Sequence, residues 1–166
     1  MQAEKSKTPL KHCSDKKSGF SIEYPDLSSW TVQKPPEISE PGRLGFLNKD
    51  IKATLVFGFI QLPNVIPDLS DSQIYHMALD DITGGYRKSN PDFVVLSSSL
   101  VTNPNNGVKG VQLIYTNKVS GCLWRGRHIA YFRGSKRYDI TAYAEQQSFD
   151  YADRQFFTPV ANTFTF

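Results

Sequence analysis

Apolar and polar residues alternate with period two over residues 19–25, so Phe20, Ile22 and Tyr24 line one face of a predicted strand that Pro25 stops. Trp30-Thr31-Val32 is a short candidate partner. Lys34-Pro35-Pro36 and Glu40-Pro41-Gly42 then mark an irregular excursion from Gln33 to about Asp50. Residues 51–62 form the longest nearly continuous apolar run. Their β-branched and aromatic content predicts a strand covered on both faces, with Gly58 at a bulge or a close backbone approach.

The strongest local signal follows. Ser70 with Gln73 three residues later is a capping box, and Leu69 can staple onto Ile74 across the first turn. Ile74, Met77, Ala78 and Ile82 recur at helical spacing, and Gly84-Gly85 supplies a left-handed stop, which predicts a helix over 71–83. Two hairpins come next. Residues 93–102 and 108–118 flank a turn at 103–107, and residues 123–133 and 137–145 flank Gly134-Ser135-Lys136. At the end of the chain Phe149, Ala152, Phe156, Val160 and Phe164 follow a helical stripe that Pro159 must kink or interrupt. Hairpin-linked strands with helices before and after them imply an α+β domain: a mainly antiparallel sheet of about six strands with helices packed on it.

With 166 residues, one domain with a real core accounts for the chain, and 13% aromatic content argues against disorder. We expect a polar, mobile tail over residues 1–18 and a single domain over 19–166. No apolar run approaches the roughly 18 residues needed to span a bilayer, so no membrane insertion is expected. Gln2-Ala3-Glu4-Lys5 reads like a mature amino terminus, which leaves export after signal removal and a cytoplasmic location both open. Cys13 and Cys122 are too few for a disulfide framework. They pair only if the chain is exported, and stay reduced in cytosol.

The candidate chemistry is sparse. His12, His76 and His128 are scattered over tail, helix and strand, and Cys122 stands six residues, about 20 Å, from His128 on its strand, too far to share a metal. Asp80 and Asp81 diverge by about 100° on the helix and read as a solvated edge. Ser97-Ser98-Ser99 lacks a nucleophile-elbow setting, and Gly84-Gly85-Tyr86 ends a helix where phosphate loops begin one. No catalytic residue, cofactor site or metal site is expected. The best feature is basic: Arg125, Arg127 and Arg133 share a strand face at period two, followed by Lys136 and Arg137, beside Trp124 and Tyr131. The bland reading makes these arginines guards of an edge strand, and a net charge of +3 is too small to demand a polyanion.

The strand over 19–25, Trp30 five residues on, the central helix, the two late hairpins and the closing Phe156, Val160, Asn162 and Phe164 resemble the PsbP-like superfamily. That group includes extrinsic subunits of photosystem II, a Ran-binding nuclear factor of yeast and bacterial DcrB-like envelope proteins and lipoproteins. The resemblance implies an α/β/α sandwich around an antiparallel sheet, no enzyme activity, and proteins as partners. The leading expectation is therefore a monomeric, non-catalytic protein-binding or assembly module of the bacterial periplasm or cell envelope. The competing expectations are a polyanion or nucleic-acid binder using the arginine stripe and a hydrolase whose site only the fold assembles.

Overall fold

The computed structural model describes residues 9–35 and 42–166. Nine strands are described: β1 (Leu10–Asp15), β2 (Phe20–Pro25), β3 (Thr31–Gln33), β4 (Gly42–Asn48), β5 (Ala53–Gln61), β6 (Val94–Thr102), β7 (Lys109–Val119), β8 (Cys122–Arg133) and β9 (Lys136–Glu145). Seven form one antiparallel sheet in the order β3-β4-β5-β9-β8-β7-β6, and β1 and β2 pair as a separate antiparallel ribbon. The helices are α1 (Asp71–Ser89), α2 (Gln146–Ala152) and α3 (Thr158–Ala161), with a π-helical turn, Asp153–Phe157, joining the last two. The expected α+β class with an antiparallel sheet is the observed one, with seven strands where about six were expected, because β4 lies in the segment read as irregular.

Both predicted hairpins form, with turns that suit the twist of their strands. Gly107 takes φ +73° in the β6–β7 turn and Gly134 φ +60° in the β8–β9 turn. Gly58 stands opposite a bulge: β4 slips register between Gly42 and Leu44 where it faces Gly58 and Phe57.

Two expectations are corrected at the start of the chain. Leu10–Asp15 is a strand and not part of a mobile tail, with Cys13 opposite Ile22 and Asp15 opposite Phe20. Residues 1–8 lie outside the described residues. The supposed irregular excursion contains β4, whose Leu44 and Phe46 are buried, while residues 36–41 within it lie outside the described residues.

The capping box of α1 is present as expected: the Gln73 amide donates to Ser70 Oγ and the Ser70 amide to Gln73 Oε1. The predicted stop at Gly84-Gly85 is wrong. Neither glycine takes a positive φ, and the helix runs on to Ser89, where Asn90 donates its backbone N–H to Tyr86 O. Glycine costs about 1 kcal/mol in a helix, so packing of the last turn outweighs it: Tyr86 stacks on Phe93 with ring centroids 4.9 Å apart and lies 4.7 Å from Tyr115.

The main core lies between the sheet, the β1–β2 ribbon and the C-terminal helical segment. Phe149, Ala152, Phe156, Val160 and Phe164 are all buried in it, as their spacing predicts. Phe156 stacks on Trp30 with centroids 3.9 Å apart and planes 8° from parallel. Pro159 cannot donate to the helical ladder, and the segment accommodates it next to the π turn, in which the Thr158 N–H reaches back five residues to Asp153 O. A smaller cluster of Ile82, Phe93, Leu113, Tyr115 and Ala130 packs beneath α1.

Candidate functional site

Strand β8 separates two environments, because successive side chains point to opposite faces of a sheet. Its odd-numbered residues face the main core: Ile129 and Tyr131 pack there with Phe149, Phe156 and Phe164. Its even-numbered residues face α1: Ala130 packs with Ile82, and His128 meets Tyr86.

On the α1 side the register places Tyr115, Gly126 and Tyr143 in one row across β7, β8 and β9, with Asn117 beside Trp124 in the next. Tyr86, Tyr115, Trp124 and Tyr143, with Asn117, Val119 and Thr141, line a cavity of about 270 Å³. Gly126 shapes its floor. A Cβ at that position would lie 2.3 Å from Tyr115 Cζ, so the missing side chain is what lets the tyrosine ring lie across β8. Trp124 and Tyr143 form an edge-on pair with centroids 6.0 Å apart. Tyr86 joins them only because α1 continues past Gly84-Gly85.

A chain of polar groups runs behind this cleft. The Tyr115 hydroxyl donates to Tyr86 Oη at 3.2 Å, and Tyr86 Oη lies 3.1 Å from His128 Nδ1. His128 Nε2 lies 2.7 Å from Asp139 Oδ1, and Arg137 Nε donates to Asp139 Oδ2 at 2.9 Å. Arg137 also meets Asp81 of α1. Burial pushes the Tyr86 hydroxyl up and the Tyr115 hydroxyl well above the ordinary tyrosine value, so both stay protonated at neutral pH. Burial by itself would raise Asp139, but hydrogen bonds and charge from His128 and Arg137 outweigh it and hold the carboxyl below its ordinary value. The chain thus fixes Tyr86 in place and offers the cleft neutral hydroxyls and no ionised nucleophile.

The basic stripe is divided between two faces of the sheet, and its members have partners within the fold. Arg125 donates to Asp150 at 3.2 Å and stands 5.1 Å over the Phe149 ring. Arg127, its side chain 12% exposed, lies 2.7 Å from Asp153 and donates to Thr158, and burial lowers its pKa. Arg133 donates to the Phe166 carbonyl, Lys136 covers the Phe59 ring, and Arg137 is turned to the opposite face with Asp139 and Asp81. Tyr131 is buried in the main core, and Trp124 lies across the sheet from Arg125 and Arg127. The structure therefore divides these seven residues, leaving only Trp124 at the cleft.

Two further expectations change. Asp81 is not merely a solvated edge, since it is a partner of Arg137. Cys13 and Cys122 are both free: one sits on the β1–β2 ribbon opposite Ile22, the other at the β7–β8 turn opposite Val119, in different sheets. Among the described residues no group of three His, Cys, Asp or Glu could hold a metal ion, and no helix is long and apolar enough to cross a membrane.

Sequence reasoning missed the His128–Asp139 pair, although its signal was present. A β8–β9 turn at Gly134-Ser135 sets Ala130 opposite Asp139 and His128 opposite Thr141, which makes His128 and Asp139 diagonal neighbours on one face. The cleft had a weaker signal, because tyrosine and tryptophan in strands also fit a core.

No protein-family model matches the chain, and no curated protein matches it in sequence. Solved structures do match over nearly its whole length. Cyanobacterial PsbP from Synechocystis aligns with 95% of this chain and 92% of its own at 15% identity, TM-score 0.67. LpqN of Mycobacterium tuberculosis, involved in cell envelope biogenesis, aligns with 94% of this chain and 90% of its own at 15% identity, TM-score 0.60. The PA94 protein of Pseudomonas aeruginosa aligns with 87% and 89% at 16% identity, TM-score 0.52. At these identities the likeness is one of architecture, and it agrees with the resemblance drawn from the sequence: the chain has the PsbP-like fold.

Proposed function

We propose that this chain is a non-catalytic protein-binding module of the bacterial cell envelope, and that it receives a side chain of its partner in the aromatic cleft between α1 and strands β7, β8 and β9. The observation that carries this reading is the cleft itself: four aromatic rings around about 270 Å³, with no charged residue in its lining. Tyrosine and tryptophan in a pocket are the residues from which binding hot spots are built. Pockets for drug-sized ligands measure roughly 300–1,000 Å³, and a cleft just below that range suits a single side chain. The envelope location is supported by the shared fold with LpqN, which is involved in cell envelope biogenesis. The polyanion reading is the weaker one, since Arg125, Arg127 and Arg137 of the stripe are engaged within the fold.

Affinity capture from envelope extract, with the immobilised wild-type chain beside Trp124→Ala, tests the proposal. A protein retained by the wild type and lost with the variant is expected. Recovery of nucleic acid alone, or a protein retained equally by both, contradicts it.

A further inference from the structure

We infer that two copies of this chain associate through the edge of β6, pairing Val94–Thr102 of one antiparallel with the same strand of the other about a two-fold axis at Ser98. This surface is separate from the cleft, and the dimer replaces the monomer expected from the sequence. β6 ends the seven-stranded sheet, and among the described residues it pairs only with β7. A strand edge presents a row of unpaired N–H and C=O groups, which proteins ordinarily guard with lysine, proline, a bulge or a very short strand. The opposite edge, β3, is three residues long. β6 has nine residues, Val-Val-Leu-Ser-Ser-Ser-Leu-Val-Thr, with no charge and no proline. A bulge between Val95 and Ser97 is the guard it does have, and Leu96, left there without a counterpart on β7, is 53% exposed. Val94 is exposed to the same degree, and Leu100 is 38% exposed.

The sequence of the strand points to a second copy as the occupant. Outward from Ser98 it is the same in both directions: Ser97 and Ser99, Leu96 and Leu100, Val95 and Val101. Antiparallel pairing about an axis at Ser98 therefore sets like against like. Ser97 of one copy falls opposite Ser99 of the other, where their hydroxyls can hydrogen-bond, and Leu96 falls beside Leu100, which covers both exposed leucines of each copy. Self-pairing also brings identical charges together where a strand carries them, and β6 carries none. Helix α1 reaches the same point, since Tyr75 Oη hydrogen-bonds Ser98 Oγ, so the helices of the two copies flank the axis on one face of the joined sheet. That sheet ends in β3 on both sides, and the assembly closes as a dimer instead of growing.

Sedimentation of the full chain over a dilution series tests the inference, with the wild type expected to approach twice the chain mass as concentration rises. Leu96→Lys and Leu100→Glu should each raise the dissociation constant at least about tenfold, because each sets a charge against leucine. Mixed together they should recover a dimer, since Leu96 of one copy faces Leu100 of the other and the two new charges then meet. Circular dichroism confirms that both variants fold. Dilution of the isotope-labelled wild type gives a reading that needs no variant: the amide shifts of Ser97, Ser98 and Ser99 should change with concentration, and those of β3 should not. A wild type that stays monomeric up to about 1 mM overturns the inference and leaves β6 as an edge for a foreign strand. A dimer indifferent to both substitutions overturns it, and so does one that both disrupt and their mixture fails to restore.

Discussion

The two sides of β8 carry different residues, three arginines among Leu123, Ile129 and Tyr131 on one and Trp124, Gly126, His128, Ala130 and Phe132 on the other, and they pack in different ways. On the odd side, Arg125 and Arg127 reach over a core of phenylalanines and are answered by Asp150 and Asp153 from the C-terminal helical segment. Both arginines there have a partner supplied by the fold. On the even side, α1 packs on β6 and β7 and reaches Ala130 of β8, and Tyr86 in its last turn stands at the cleft. Among the described residues, Tyr86, Tyr115, Trp124 and Tyr143 line a cleft over the glycine floor. Charge spent on internal pairs builds architecture, while aromatic surface lining a cleft is what a partner can use.

The largest expected effect lies on the closed side. Phe156 is fully buried and stacked on Trp30, so Phe156→Ala should cost about 3–5 kcal/mol in a denaturant titration. Against a usual total of about 5–15 kcal/mol, that leaves a marginal domain. A loss below about 1 kcal/mol would break the comparison, because the closed side would then not be the one that holds the fold.

The burial of Phe156 is legible in the amino-acid sequence, since the stripe Phe149, Ala152, Phe156, Val160 and Phe164 shows its period directly. So is the start of α1, where a capping box depends on two residues three positions apart. The end of α1 is not. Gly84-Gly85 reads as a stop by local preference, and only contacts with Phe93 and Tyr115, made across the fold, carry the helix past it. Strand β1 is hidden for a different reason. Lys11, His12 and Ser14 give no apolar alternation, and backbone pairing with β2 is what makes them a strand. The cleft is assembled from residues 86 to 143 on four elements, so no local window contains it. The arginines mislead because period two on a strand reveals a shared face but not which face is covered.

The next effect lies behind the cleft. The folded Asp139 carboxyl titrates below its unfolded counterpart, near 3.9, so it stabilises the fold above about pH 4, and this contribution is lost as pH falls through the folded value. Asp139→Asn should therefore cost about 1.5–3 kcal/mol at pH 7. The gap from wild type should shrink on acidification in a pH series of urea melts. A gap constant from pH 7 to pH 2 would show that the carboxylate is not held by His128 and Arg137.

Gly126→Ala sharpens the comparison at the floor of the cleft. The added methyl meets the Tyr115 ring, which is buried against Tyr86 and Phe93, so Tyr115 must shift or the sheet must deform, at about 1–3 kcal/mol. Thermal melting reads the cost, and NMR shifts of Tyr86 and Trp124 read the altered cleft. Unchanged stability and unchanged shifts would mean that the floor does not need glycine.

The smallest stability effect belongs to Trp124, half-buried and held by its edge-on contact with Tyr143. Trp124→Ala should cost only about 0.5–1.5 kcal/mol. Arg127→Ala, three residues along the same strand, should cost about 1.5–3 kcal/mol, because it removes a largely buried charge pair with Asp153.

The most direct test of the central claim sets these two variants side by side, measuring melting temperature and retention of the captured envelope protein for each. The account predicts that the effects cross: Trp124→Ala loses the partner while melting close to wild type, and Arg127→Ala melts lower while keeping the partner. Loss of the partner in Arg127→Ala with full retention in Trp124→Ala would contradict it, placing the binding surface on the side of β8 that the C-terminal helical segment covers.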